Sequence, residues 1–398
     1  MSLAGEGTAA DQLRAAEFIG VDDPRWLRLL ERTPHDIYHL PEYVALSARH
    51  EGGRAAAFYA EDHGGGAFLA PLLLRRLPDA LEAPRDWLDA ASPYGYPSPL
   101  AVTSADGGGG ALRSLVARSL DAFRAAGRSL RLVTAFFRLH PLLALAPDSF
   151  AGFGTIATHG PVVYVDLTRP EELLWSETRG SYRTAIRGLE RDGYTVTINE
   201  WHRYRDFAAV YHQTMQRVGA ADRYFFSDDY FADLRHTVGE RLHLSTVVTP
   251  GGETAAAALF FGTGTLLQYH LGGTADAHVG QSPAKLLFHH ARRWGKRAGF
   301  AALHLGGGVG AATDSLFHFK SGFSPLRAHF RTARIVLDTE RYEELCVRWA
   351  ERVGMPDPDP SAFFPLYRQG LRDARRVAFP WLPSPLPPPP ADDPCPQR

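Results

Sequence analysis

The sequence predicts an α+β protein in which one structural unit is used twice. Two observations carry the prediction. Both halves run through the same order of elements: helices, an antiparallel meander, one amphipathic helix, then a strand. The chain has 398 residues, long for one domain, so two are expected. With 45% hydrophobic and 22% charged residues, the composition suits a folded globular chain.

The first half opens with residues 1–16, small and polar, read as frayed. A short helix over 22–32 carries Pro24 in its first turn. A second helix ends near His50. Segments 55–61 and 66–77, joined by Asp62-His-Gly-Gly65, give a hairpin signal. Ser92-Pro-Tyr-Gly-Tyr-Pro-Ser-Pro99 is an aromatic loop pinned by prolines, and it presents Tyr94 and Tyr96. Glycines at 107–110 make a flexible link. Leu112, Leu115, Val116, Leu120 and Phe123 fall at helical spacing over 112–126, and a strand follows at 130–136.

The second half repeats the order. A strand at 162–167 leads into one long helix over 171–192, stopped by Gly193. A strand at 194–199 and helices over 207–218 and 230–238 come next. Three strands follow at 242–248, 254–261 and 266–271, turned by Pro250-Gly-Gly252 and Gly262-Thr-Gly264. A helix over 283–299 then reaches a strand at 301–305. Residues 326–337 read as β. The last helix, 342–353, has an apolar face of Tyr342, Leu345, Cys346, Trp349 and Val353. The tail from 380 to 398 is proline-rich and extended.

Several functions are excluded. The formal net charge is −1, so nucleic acid must meet local basic patches and not a bulk positive field. The two cysteines, Cys346 and Cys395, form neither a disulfide framework nor a metal spacing. The longest apolar run, 67–74, is interrupted by Pro71, so no membrane span is expected. The first thirteen residues lack the basic and apolar regions of a secretory signal. A cytoplasmic monomer is expected. His289 and His290 are adjacent, so they do not face one ligand, and no H-E-x-x-H occurs. No metal is expected. Gly306-x-Gly308-x-x-Ala311 matches a dinucleotide fingerprint formally, but it follows an antiparallel meander, and no acidic residue ends a strand about twenty residues later. There is no Walker lysine motif and no G-x-S-x-G elbow, and no cofactor is expected.

The chemistry concentrates in one stretch, Leu303-His-Leu-Gly-Gly-Gly-Val-Gly-Ala-Ala-Thr-Asp-Ser-Leu-Phe-His-Phe-Lys-Ser-Gly-Phe323. A strand runs into three glycines, which permit positive φ and a close approach. A short helical segment then presents Phe319 and Lys320. Lys320 can offer a cation to an oxyanion or a phosphate. Asp314 can take a proton or orient Lys320, and it can equally cap the helix. Arg179, Arg183, Arg187 and Arg191 recur every four residues, so they line one helix face, open either to RNA backbone or to solvent. Tyr269 and His270 alternate on a strand, where only one can point into a cleft.

The order of helix, meander, helix and strand resembles the GNAT acyltransferases. The phosphate-binding turn of that superfamily would fall at His278-Val-Gly-Gln-Ser-Pro-Ala284, where Pro283 removes a backbone N–H donor. Tyr164-Val-Asp-Leu167, Trp175, Arg183-Thr-Ala-Ile-Arg187, Tyr269-His-Leu-Gly-Gly273, Ser282-Pro-Ala-Lys-Leu-Leu287 and the Leu303–Phe323 stretch resemble the second domain of the Fem (FemABX) family. That resemblance implies two tandem GNAT-like domains, with the C-terminal segment returning to the first. The boundaries expected are 17–158 plus 338–380, then 159–337, then the tail at 381–398. It also implies an aminoacyl-tRNA donor, with transfer of its amino acid to the amine of a small peptide, a specialised metabolite or a cell-wall precursor. Phe319 and Lys320 would lie at the aminoacyl site. Arg217, Arg223, Tyr224 and Phe225 resemble the acceptor-binding region, with Tyr94, Tyr96, Tyr269 and His270 as further substrate contacts. The arginine stripe would meet tRNA. A GNAT-type N-acyltransferase using an acyl thioester is the alternative.

Overall fold

A computed structural model describes residues 13–104, 109–143, 145, 147–150, 152–354 and 363–371. Strand β1 (Leu13–Ile19) precedes helices α1 (Pro24–Leu30) and α2 (Pro41–Glu51). Strands β2 (Arg54–Asp62), β3 (Ala67–Arg76), β4 (Leu88–Ala91) and β5 (Leu100–Val102) lead to α3 (Gly109–Ser129) and β6 (Leu132–Leu139). The second half begins with β7 (Thr155–Asp166), α4 (Glu171–Glu177) and α5 (Gly180–Arg191). It continues with β8 (Thr195–Ile198), α6 (Tyr204–Arg217), α7 (Asp228–Val238), β9 (Leu242–Val248), β10 (Thr254–Thr263) and β11 (Leu266–Thr274). It ends with α8 (Ala284–Arg297), β12 (Ala302–Gly306), α9 (Ser315–Lys320), β13 (Arg327–Val336) and α10 (Thr339–Val353).

The strands join in one sheet, ordered β1-β2-β3-β4-β6-β13-β7-β12-β11-β10-β9-β8, with β5 beside β3. This order is a palindrome of two equivalent halves. In each half a meander ends on a parallel pair, β4 with β6 and β11 with β12. The strands that follow β6 and β12 in the chain cross over: β7 pairs with β12, and β13 pairs with β6. β7 and β13 then pair with each other and seal the junction. The fold is the expected α+β duplication.

One apolar cluster is shared by both halves. It packs Trp26, Tyr38 and Tyr43 of the first half with Phe207, Phe231 and Phe261 of the second. On the opposite side, α3 covers the first half, while α5 and α8 cover the second.

Three expectations are corrected. Residues 13–16 are not frayed, because β1 pairs along β2 from Leu13 to Ile19. The helix expected over 171–192 is two, broken at Thr178 and Arg179, whose ψ values of 129° and 136° are extended. The broken end is stabilised by side chains that take the carbonyls of α4. Arg292 donates to Leu174 O at 2.9 Å, and Arg183 donates to Ser176 O and Thr178 O at 2.7 and 2.5 Å. The third concerns extent: β7 begins at Thr155, seven residues earlier than expected, because it must reach β13. The flexible link expected at 107–110 lies half outside the described residues, and the proline-rich tail lies wholly outside them.

The C-terminal segment returns to the first half. Leu345 and Trp349 of α10 pack with Leu77, Leu81 and Val133. Beyond α10, Arg368 donates to buried Asp89 at 2.5 Å, and the Tyr367 hydroxyl meets Thr134 Oγ1 at 2.8 Å. Trp349→Ala should therefore cost about 3–5 kcal/mol, read as a lowered midpoint in chemical denaturation. A chain ended after Leu337 should aggregate, since it leaves that apolar surface open. An unchanged midpoint and a soluble shortened chain would contradict this packing.

Candidate functional site

The parallel ladder of β11 and β12 holds only three rungs: Leu266 with Ala302, Leu267 with Leu303, and Gln268 with His304. Past them the strands part. On the β11 side a bulge falls at His270, because Leu259 faces Leu271 while Phe260 faces Tyr269. On the β12 side Gly306 takes φ +79°. A gap in the sheet opens between Tyr269 and Gly306.

Lys320 reaches into this gap. It is the last residue of α9, whose N-cap is Asp314. Its Nζ donates to Gly307 O at 2.6 Å and lies 5.4 Å from the centre of the Tyr269 ring. A Cβ on Gly306 would lie 3.3 Å from that Nζ and 4.0 Å from the Tyr96 hydroxyl, so both groups face one point. Lys320 is 5% exposed, and burial pushes its ammonium down to about 7, against a smaller opposing effect from Asp314. α9 enters the protein because Phe317, Phe319 and Phe323 are held in the core by Tyr182 and Phe288.

The glycine run also serves mainly the protein. A Cβ on Gly307 would approach Pro161 O at 3.0 Å, and one on Gly308 would strike the Asp314 carboxylate. Asp314 spends both oxygens on backbone, accepting from Phe317 N and from Val309 N at 2.9 Å each. It is a helix cap that positions α9. Phe319 lies within ring contact of Phe288 and Tyr182, and the Tyr182 hydroxyl donates to Phe319 O at 3.2 Å.

Tyr269 and His270 point to opposite sides. Tyr269 joins Phe260 and Phe288, whereas His270 turns to Phe261 and Tyr94. Tyr96 is buried among His140, His304 and Phe330. Tyr94, Tyr96, Tyr269, His270 and Lys320 are thus gathered around the gap. Arg217 is elsewhere, paired with Asp276 and bonded to Thr274 O, so it ties α6 to the end of β11. The backbone of Tyr224 accepts from the Tyr211 hydroxyl at 2.7 Å. The side chain of Arg223 lies outside the described residues.

The arginine stripe divides. Arg183 caps α4, with one guanidinium nitrogen on the carbonyls that close that helix. Arg187 is exposed and stacks on Trp175, and Arg191 is exposed at the helix end. Arg179 starts α5, lies over Tyr182 and donates its backbone N–H to Gly322 O at 2.8 Å, so it borders the segment that carries Lys320.

Sequence reasoning missed His304, Gln268, His140 and Asp36. His140 donates from Nε2 to Asp36 Oδ2 at 3.0 Å, both groups fully buried. His304 shares a 2.6 Å hydrogen bond with Gln268. No local motif marks these four residues, because 36 and 140 come from the first half while 268 and 304 come from the second. Among the described residues no cluster of ligating side chains suits a metal, and no helix is long and apolar enough to cross a membrane.

The crystal structure of FemX superposes on this chain with a TM-score of 0.63. It is 12% identical and covers 82% of this chain and 99% of its own. The chain shares the fold of FemX. Residues 176–321 match the family profile described as an acetyltransferase (GNAT) domain. The chain is also similar to L-PGS from Bacillus licheniformis, at 14% identity, 85% and 98% coverage and a TM-score of 0.48. A tandem GNAT protein from the clavulanic acid biosynthesis pathway matches at 16% identity, 80% and 98% coverage and a TM-score of 0.41. Curated protein sequences give no significant match. The fold is GNAT-like, with the profile match in the second half and the FemX likeness over most of the chain.

The buried lysine sets a pH dependence of stability. Its folded value of about 7 lies below the ordinary 10.5, so between these values the unfolded chain binds more protons. Stability contributed by this group therefore rises as pH rises from about 7 to 10.5. Lys320→Met should lack that rise. It should exceed the wild type most at or below pH 7, by up to a few kcal/mol, and the difference should close near pH 10. Parallel stability curves at every pH would show that Lys320 is not buried as an ammonium.

Proposed function

We propose that the chain transfers an amino acid from aminoacyl-tRNA to the amine of a small peptide, specialised metabolite or cell-wall precursor, and forms an amide bond. The observation that carries this is Lys320, held by Gly307 O and the Tyr269 ring inside the gap between β11 and β12. Aminolysis of an ester needs an uncharged amine, stabilisation of the oxyanion and an exit for the 3′-oxygen. The Lys320 ammonium supplies charge to the oxyanion or to the terminal phosphate of the donor. It is preorganised, because α9 is pinned by Asp314, Phe317 and Phe319. An anion in the gap favours the protonated lysine and offsets its burial. Tyr269 borders the donor side, and Tyr94, Tyr96 and His270 border the side where the acceptor would enter. Arg179, Arg187 and Arg191 remain available to the RNA backbone, and Arg217, Arg223 and Tyr224 would serve the acceptor from the outer rim. The Fem resemblance supports this assignment of donor.

A second reading, N-acyl transfer from an acyl thioester, is favoured by the GNAT profile match. Against it, the start of α8 offers a pyrophosphate fewer backbone donors. Pro283 stands at its N-cap, and Ser282 before it is left-handed at φ 56°.

Single-turnover transfer with charged tRNA tests the proposal. RNase should abolish product, and Lys320→Ala should lower turnover by about 10²–10³, the loss typical of one oxyanion donor. In the wild type, kcat/KM for the donor should fall as pH rises through about 7, since the free enzyme then loses its ammonium. Arg187→Glu should raise KM for tRNA, whereas Arg183→Glu should lower the melting temperature by uncapping α4. Full activity with acyl-CoA after RNase treatment would establish the second reading instead.

A further inference from the structure

His304 is a buried imidazole with one nitrogen unused. Its tautomer follows from its neighbours. Gln268 Nε2 donates to Tyr269 O at 2.9 Å, which fixes the amide and turns Oε1 toward His304. A carbonyl oxygen only accepts, so His304 Nδ1 carries the proton in the 2.6 Å bond between them. Nε2 is therefore a bare acceptor. It is fully buried and has no partner among the described residues.

The neighbouring histidines differ. His39 accepts from Asp36 N at Nδ1 and donates from Nε2 to Ser98 O, at 3.0 Å each. His140 accepts from Leu142 N and Leu143 N and donates to Asp36. Both are satisfied. His304 stands on the last rung before β11 and β12 part, two residues from Gly306, the point that Lys320 Nζ and the Tyr96 hydroxyl face. His270, on the bulge across the gap, also has a buried Nε2 without a partner among the described residues. Buried polar atoms are normally paired, so the open Nε2 of His304, beside the point that Lys320 and Tyr96 face, points to a ligand that pairs it.

The charges define that ligand. The Asp36 carboxylate is committed, accepting from Ile37 N and from His140. Burial keeps both imidazoles neutral, and Lys320 further disfavours a proton on His304. Asp36 is the carboxylate that acts on His270, whereas the charge acting on His304 is the cationic Lys320. An ammonium is disfavoured there, whereas an uncharged N–H donor is not.

We infer that the gap holds a subsite for an uncharged primary amine, with His304 Nε2 accepting one of its N–H bonds and Gln268 fixing the tautomer that permits this. This deepens the aminoacyl-transfer reading and rests on it for the identity of the amine as the acceptor nucleophile. Gln268 acts as a positioning residue.

The test uses methoxyamine, a primary amine that is uncharged at neutral pH, with the full-length protein labelled with ¹⁵N-histidine. The free protein should show His304 as the Nδ1–H tautomer. Methoxyamine should shift its Nε2 resonance saturably and leave His39 and His140 in place. His304→Phe keeps a ring beside Tyr96 but removes the acceptor, and it should weaken methoxyamine binding about tenfold, as loss of one hydrogen bond does. Gln268→Leu, which leaves the ring in place, should mix the tautomers and weaken binding as well. An Nε2–H tautomer, an unmoved resonance, or equal affinity in both variants would overturn the subsite. A saturable shift without any RNase-sensitive transfer would keep the amine subsite and remove the tRNA reading. Transfer without the shift would do the reverse.

Discussion

β11 and β12 are paired over three residues and then separate, and the site depends on how that separation is held. Two local features keep the strands apart. The extra residue at His270 breaks the outer ladder of β11, and Gly306 turns β12 away with a positive φ that other residues adopt at a cost. A gap through a sheet exposes backbone groups that need partners. Lys320 provides one for Gly307, and its aliphatic stem brings the ammonium in through the core cluster of α9. The cost is a buried charge, seen in the depressed lysine value. An anion that enters the gap relieves that cost, which is why a group so poorly solvated suits electrostatic stabilisation.

The first half shows the same parting used differently. β4 and β6 pair from Leu88 with Leu132 to Ala91 with Phe136. Beyond them Ser92 continues the contact by donating to Phe136 O at 2.8 Å. The Arg138 guanidinium donates to the carbonyls of Ser92 and Pro93, and Arg138 N donates to Ser92 Oγ at 3.0 Å. The space is plugged by protein, and the loop it anchors carries Tyr94 and Tyr96 toward the open gap of the other half. The duplication thus yields one unit closed at this point and one that parts around Lys320. β7 and β13 join the units, each pairing with the other and with β12 or β6.

Much of this was legible in the sequence. Apolar periodicity located α3 and α10, and the glycine turns located β9 to β11, because those signals are local. The stretch from Leu303 to Phe323 stood out for the same reason. The burial of Lys320 was not legible, since it depends on Tyr182 and Phe288, more than thirty residues away in sequence. The arginine spacing was read on one continuous helix, whereas the helix breaks at Thr178 and Arg179 and Arg183 caps the break. His304, Gln268, His140 and Asp36 carry no spacing signal at all. Their meaning comes from hydrogen bonds made across the sheet and between the halves.

The central claim is that the gap held open around Lys320 receives the aminoacyl end of the donor. A crystal structure with a short acceptor-stem RNA bearing a non-hydrolysable 3′-aminoacylamide tests it most directly. The account predicts the aminoacyl carbonyl or the terminal phosphate between Tyr269 and Gly306, within hydrogen-bonding distance of Lys320 Nζ. An RNA end bound elsewhere on the chain, with Lys320 still bonded only to Gly307 O, would contradict it.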